Sequence, residues 1–291
     1  MIQKRFEQFG FPLRRNRNVV PCDDDSTLFI CSGMQPHKQR FRKPDGGREG
    51  SLQSCVRTDD LELVGDPTHL TYFEMLGNFS FGGPEFEHSV DLWHCVLTDL
   101  NVTGVHVRVH PSQEKHRRLW ERHGYRVEPD DQCCWSDGEI GGFCCEVFVE
   151  DLELGNLVQP LEHSTDVGFG WERLVQVLER QNCVYQSSLF EQSIHPVLSD
   201  HQRTLSVLLE NGVTPGSRGR SYVCRRLLRR MLKYLNGSET FEFDDLLDHE
   251  RELRRKSLQH GQRYWRRHKD KPLEFWWETF GILPEEVERL H

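Results

Sequence analysis

The sequence predicts an α+β protein, with strands and helices mixed over residues 1–194 and helices alone over residues 195–291. Three observations carry this. GVHVRVHP (104–111) alternates, so Val105, Val107 and Val109 share one face of a strand and His106, Arg108 and His110 the other. RSYVCRRLLRRMLKYLNG (220–237) repeats Val223, Leu227, Leu228, Met231, Leu232 and Leu235 at helical spacing. Near residue 195, glycine-rich turns and short alternating strands give way to helical periodicity.

In chain order, TYFEMLGNFSFG (71–82) reads as strand broken by a turn, and so does EVFVEDLELGNLV (146–158). SQEKHRRLWERHG (112–124) reads as a helix stopped at Gly124, the position after a helix where a left-handed residue is favoured. SDHQRTLSVLLENG (199–212) opens on Ser199 or Asp200 as N-cap and closes at Gly212. An acidic stretch, FEFDDLLDHERE (241–252), and a basic one, RRKSLQHGQRYWRRHK (254–269), complete the helical half.

The 291 residues suffice for one large or two ordinary domains with a sizeable core. Thirty-seven Lys+Arg against 46 Asp+Glu leave a net charge of −9, which argues against a protein that merely coats nucleic acid. No apolar run approaches the roughly 20 residues that span a bilayer, and MIQKRFEQFGF lacks the apolar stretch of a secretory signal. The expectation is a soluble, cytoplasmic protein with no membrane partner. The 10 cysteines, with vicinal pairs at 133–134 and 144–145, then read as structural thiols in a reducing compartment.

Charge is segregated within the chain. Arg218 to Lys233 holds seven Lys/Arg and no acid. Arg225, Arg226, Arg229, Arg230 and Lys233 fall on neighbouring turns, so one helix face reads as a dock for nucleic-acid phosphates, against the alternative of a solvated or acid-paired face.

Three segments hold residues suited to phosphate and nucleobase chemistry. In SLQSCVRTDDLELVGDPTHLTYFEMLGNFSFGG (51–83), Arg57 leaves one strand and Phe73 begins the next. An arginine forks onto phosphate, and a phenylalanine stacks on a purine. In STDVGFGWERLVQVLER (164–180), Gly168 and Gly170 precede a helix and allow close backbone approach to a ligand, with Arg173 in the first turn. Its spacing is not the G-x-G-x-x-G of dinucleotide folds. WSDGEIGGFCCEVFVEDLELGNLV (135–158) sets Trp135, Glu146 and Asn156 on or beside strands.

Jointly these segments resemble the aminoacylation core of the alanyl-tRNA synthetases, a class II synthetase family. THLTYFEMLGNFSFG (68–82) and CVR (55–57) are similar to the family's motif 2, TLFICSGMQPHKQRF (27–41) to motif 1, and DVGFGWER (166–173) to motif 3. GNLV (155–158) resembles the strand lining the amino-acid pocket. Residues 199–235 resemble the family's tRNA-recognition helices, and FWWETFGILPEEV (275–287) the segment that closes them.

The resemblance implies an antiparallel sheet flanked by helices, followed by an all-helical domain, and ATP-dependent activation of alanine or another small amino acid as aminoacyl-AMP. It implies Arg57 on the α-phosphate, and Phe73 under adenine with Arg173 on the ring's other side. Asp60 helps to orient ATP. Gly168 and Gly170 lie against the ligand, and Asp166 receives the substrate ammonium. Trp135, Asn156 and Val158 line a small pocket, and Glu146 holds Mg²⁺. The acceptor is tRNA. A carrier protein or small metabolite, and a non-catalytic tRNA- or partner-binding role, stay open as alternatives.

The resemblance stops near His291, so the expectation is a compact core without the family's editing and C-terminal domains. His106 and His110 match the editing domain's His-x-x-x-His only formally. Residues four apart on a strand lie roughly 13 Å apart, and no Cys-x-x-x-His occurs, so no zinc is expected. CVYQSSLF (183–190) lacks carboxylates that the family carries there.

Overall fold

The computed structural model describes residues 1–22, 27–83, 86–136, 138–160 and 163–268, together with 271, 272, 275, 276, 279, 282 and 287. Most of the expected closing segment 275–287 lies outside the described residues. Contacts divide the chain into two compact units, Met1–Val213 and Thr214–His291.

The first unit is built on one mixed sheet of nine strands: β1 (Leu13–Asn16), β2 (Arg48–Val56), β3 (Tyr72–Phe81), β4 (Val105–Val109), β5 (Arg126–Pro129), β6 (Cys134–Ser136), β7 (Gly141–Val149), β8 (Leu152–Val158) and β9 (Ser164–Gly170). Their order is β1-β2-β3-β9-β8-β7-β4-β5, with β6 pairing β7. The centre is antiparallel, and only the outer pairs β1–β2 and β4–β5 are parallel. The helices of this unit are α1 (Ile2–Gln8), α2 (Lys38–Arg42), α3 (Phe86–Asp99), α4 (Glu114–Glu121), α5 (Trp171–Leu178) and α6 (Pro196–Glu210).

One face of the sheet builds the main core. Leu76, Val107, Val109, Cys145, Val147, Leu157, Val167 and Phe169 meet Phe86, Val90, Trp93, Val96 and Leu97 of α3. The Trp93 and Phe169 rings stack at 3.6 Å, and the Trp93 indole N–H donates to Asn78 (2.8 Å), which meets the ring's one polar need. β3 runs unbroken through 72–81, against the expected interruption, because Gly77 sits under the Val167 carbonyl of β9. A Cβ there would lie 2.0 Å from that oxygen, so the glycine marks close strand approach rather than a turn. The turn expected within 146–158 is real and falls at Glu150, whose φ is +52°.

α6 begins three residues earlier than Ser199, with Pro196 in its first turn and the His195 imidazole accepting from the Val197 N–H (3.2 Å). Ser199 and Asp200 are therefore buried helix residues, not caps. Asp200 Oδ1 accepts from the Thr71 N–H (2.8 Å), and Arg203 pairs with Glu172 (2.7 Å). These bonds tie α6 to the sheet, which is why the compact unit extends to Val213 and not to the compositional shift at 194/195.

The second unit holds α7 (Gly219–Tyr234) and α8 (Asp244–Trp265). Of the stripe that the spacing predicts, Val223, Leu227, Leu228 and Met231 are buried, joined by Cys224, whereas Leu232 is half-buried and Leu235 caps the end of α7. The single helix α8 runs from Asp244 in the acidic stretch to Trp265 in the basic one, and Trp265 packs against Trp276 with ring centroids 5.1 Å apart.

Candidate active site

The ladder register decides which side chains meet. Phe79 of β3 faces Asp166 of β9, Asp166 faces Val158 of β8, and Val158 faces Cys144 of β7. One step along, Gly77, Gly168, Asn156 and Glu146 form a second row, and Met75 faces Gly170. Directly opposed residues of antiparallel strands project to the same side. Asn156, Val158, Asp166, Gly168, Gly170 and Glu146 thus share with Phe73 the sheet face opposite the α3 core. Trp135, on β6, packs against two small clusters on this face: Met34, Phe41, Phe79, Phe81 and Ile140, and Cys133, Cys144 and Val158.

At one end, Arg57 follows directly on β2. Its backbone N–H donates to the Thr71 carbonyl (2.9 Å) and its Nε–H to the Cys31 carbonyl (2.9 Å). These bonds hold the guanidinium 5.0 Å from the centre of the Phe73 ring. The side chain stays exposed. Asp60 is also exposed, at the start of a 3-10 turn (Leu61–Leu63). Below, the carboxylates are matched by cations. Glu74 accepts from Arg15 (2.7 Å). Glu172, 1% exposed, accepts from the Glu74 N–H (3.0 Å) and from Arg203 (2.7 Å). Burial raises the Glu172 carboxyl, and Arg203 opposes that shift.

Arg173 lies in the first turn of α5, where its Nη1 donates to the Glu153 carbonyl (2.8 Å) and lies 3.4 Å from that residue's carboxylate. The guanidinium beside the Phe73 ring in the free protein is that of Arg57. Gly170 is the N-cap of α5 in extended backbone. At Gly168 an added Cβ would lie 2.6 Å from Met75 Sδ, so any side chain there would displace Met75 from its contact with the Gly33 N–H (3.2 Å).

At the other end, Asp166 is buried with no hydrogen bond or ion pair among the described residues, and burial alone pushes its carboxyl up to about 7. Glu146 is half-buried beside the Cys144 thiol (4.0 Å). Its carboxyl is raised by burial and by Glu153 and Asp130, against Arg108. Sulfur neighbours suit Mg²⁺ poorly, because that ion takes an all-oxygen shell, so the expected magnesium role of Glu146 finds no support in its surroundings. His106 stacks on Phe148 while His110 bonds Ser112 (2.8 Å), so the two histidines share no site.

On α7, Arg225 and Arg229 both reach the buried Glu250 of α8, at 3.3 and 2.6 Å. Two of the five cations expected to form a docking face therefore neutralise an internal acid. Arg226 and Arg230 are half-buried, and Lys233 is exposed.

Residues missed in the sequence are Glu74, Arg15 and Arg203, which form the ion pairs next to Phe73 along β3, and Cys133 and Cys144, which lie beside Glu146. Arg203 lies in the D-H-Q-R stretch assigned above to tRNA recognition. Cys144 and Glu146 are two apart on a strand, which by itself puts them on one side.

A sheet face with an arginine beside a phenylalanine at one end and a buried, uncompensated acid at the other offers groups chemically suited to an anion, an aromatic ring and a cation. A family model described as tRNA synthetases class II (A) matches residues 4–151 and 146–253, and the chain belongs to that family. Its curated relatives are alanine–tRNA ligases. That of Desulfitobacterium hafniense (strain Y51) is 31% identical over 300 residues, covering 80% of this chain and 34% of that protein. That of Neorickettsia sennetsu is 31% identical over 317 residues, covering 84% and 37%. The chain thus spans about a third of the length of these relatives. Among solved structures, apo histidyl-tRNA synthetase of S. aureus superposes with a TM-score of 0.43 at 11% identity, over 85% of this chain and 92% of that one.

Proposed function

We propose that the chain activates a small amino acid, alanine first, with ATP and transfers it from the adenylate to tRNA. The observation that carries this reading is the uncompensated Asp166 carboxyl on the same sheet face as the Arg57–Phe73 pair. An amino acid supplies the ammonium that Asp166 lacks. Adenine can replace solvent on Phe73, leaving Arg57 to fork onto the α-phosphate. The amino-acid carboxylate then attacks the α-phosphorus in line, the bond to the bridging oxygen breaks, and pyrophosphate leaves. An acceptor hydroxyl next attacks the acyl carbon and AMP departs. No protein nucleophile is needed. Arg57 stabilises charge on the phosphate, and Asp166, Asn156, Val158 and Trp135 position the amino acid. Arg173 supports β8 through Glu153, and Asp60 borders the open end. Magnesium enters with the triphosphate and neutralises phosphate oxygens, so it requires no resident site at Glu146.

ATP–pyrophosphate exchange with labelled pyrophosphate tests the first step: exchange is expected with alanine, and its absence with every small amino acid sinks the reading. The acceptor has a second candidate. The engagement of Arg225 and Arg229 by Glu250 removes two cations from the tRNA dock, which favours also trying a carrier protein or small metabolite. Acid-precipitable charging of total tRNA with labelled alanine decides for tRNA.

A further inference from the structure

Cys133, Cys144 and Glu146 form a compact group whose ligand atoms all lie within 4.8 Å of one another. Both cysteines are fully buried and unoxidised. The Cys144 N–H donates to the Cys133 carbonyl (3.0 Å), which pins the two ends of the β6–β7 hairpin together. Cys144 and Glu146 lie on the same side of β7, and Val158 and Trp135 close the cluster. Without an ion these three satisfy one another badly: among the described residues the Glu146 carboxylate has only the long contact with the Cys144 thiol (4.0 Å) and no ion pair. Arg108, its neighbour on β4, lies over the Phe148 ring (4.2 Å) and 3.8 Å from Asp130.

We propose that Cys133, Cys144 and Glu146 bind one zinc ion on the site face of the sheet. Ligands about 2.3 Å from a tetrahedral zinc lie about 3.8 Å apart, so the group needs to tighten by no more than roughly 1 Å. Two thiolates and a carboxylate suit a borderline-soft cation and exclude magnesium and calcium. Binding releases the thiol protons to solvent. Three protein ligands leave the fourth position for water or a ligand donor atom, on the face that also carries Asp166 and Asn156. The expectation from sequence, that these cysteines are structural thiols and that zinc is absent, gives way on this geometry. The histidine pair that motivated it has no part in the site.

The full 291-residue chain, purified reduced, tests the site without reference to catalysis. Elemental analysis after zinc loading and desalting is expected to find about one zinc per chain. Cobalt substitution of the unaltered protein is expected to give a thiolate-to-cobalt charge-transfer band. Cys133→Ser and Cys144→Ser should lose the band and the stoichiometric zinc. Glu146→Gln should weaken zinc binding at least about tenfold, while Cys134→Ser, at an exposed neighbour, should change neither. Absence of the cobalt band in unaltered protein overturns the proposal even if the variants misfold. So does retention of zinc by the Cys133→Ser, Cys144→Ser double variant, or spontaneous Cys133–Cys144 disulfide formation in the presence of zinc.

Discussion

Two sets of buried acids are handled in opposite ways. Around Glu74, which alternates to the side of β3 opposite Phe73, each buried carboxylate has its own arginine: Arg15 for Glu74 and Arg203 for Glu172. On the site face Asp166 has none among the described residues, and Glu146 has a thiol for a neighbour. A charge removed from water is costly unless paired, so the first set is complete in the free protein, whereas the second has groups left to accept a cation. A polyanion needs a rigid, pre-neutralised frame around one exposed arginine. An ammonium group needs an acid that nothing else has claimed.

This contrast can be broken or sharpened by measurement. The largest effect is expected from Arg57→Ala, which should reduce ATP–pyrophosphate exchange by about 10²–10³-fold while the urea midpoint stays put, since the side chain is exposed. A comparable loss of stability would place Arg57 in the frame instead. Arg203→Ala strands Glu172 and should destabilise the fold by about 3–5 kcal/mol in urea unfolding, with Arg203→Ala/Glu172→Gln recovering part of the loss.

Asp166 gives a pH signature. Its carboxyl titrates near 7 in the free protein, above the ordinary value of about 3.9, so this group favours the fold most below pH ~4 and that contribution is lost as pH rises through 7. Ammonium binding needs the ionised form. The dissociation constant for alanine should therefore fall from pH 6 to pH 8, and Asp166→Asn should flatten that profile and weaken binding. A slope unchanged in Asp166→Asn would put the amine elsewhere. The smallest effects lie in the second unit. Arg229→Ala, leaving Glu250 to Arg225 alone, should cost about 1–3 kcal/mol, whereas Lys233→Ala should stay within about 0.5 kcal/mol by thermal unfolding.

What could be read in the chain follows the range of the forces involved. Strand β4, helix α4 and most of the apolar stripe of α7 rest on local periodicity and were legible, although α4 closes at Glu121 with Arg122 as cap, ahead of the left-handed Gly124. The motifs placed Arg57, Phe73, Asp166 and Gly168 on one site, and the register puts Phe73, Asp166 and Gly168 on one face. Pairings over distance were not legible. Glu250 lies 21 residues beyond Arg229, and Arg203 31 beyond Glu172, so nothing local foretold that these charges are internal. The pairing of Arg173 on α5 with Glu153 on β8 is likewise invisible in either segment alone. The cysteines were counted as vicinal pairs, whereas the contact that matters joins Cys133 to Cys144 across a hairpin.

Helix α6 carries a consequence for how such a chain can be divided. It looks by composition like the opening of the helical half, yet Asp200 serves the Thr71 amide and Arg203 the Glu172 carboxylate. A fragment ended at residue 195 would keep every motif strand and still leave an amide and an acid stranded inside it. Heredity could exchange segments cleanly only at a seam that such bonds do not cross, and residue 195 is not one.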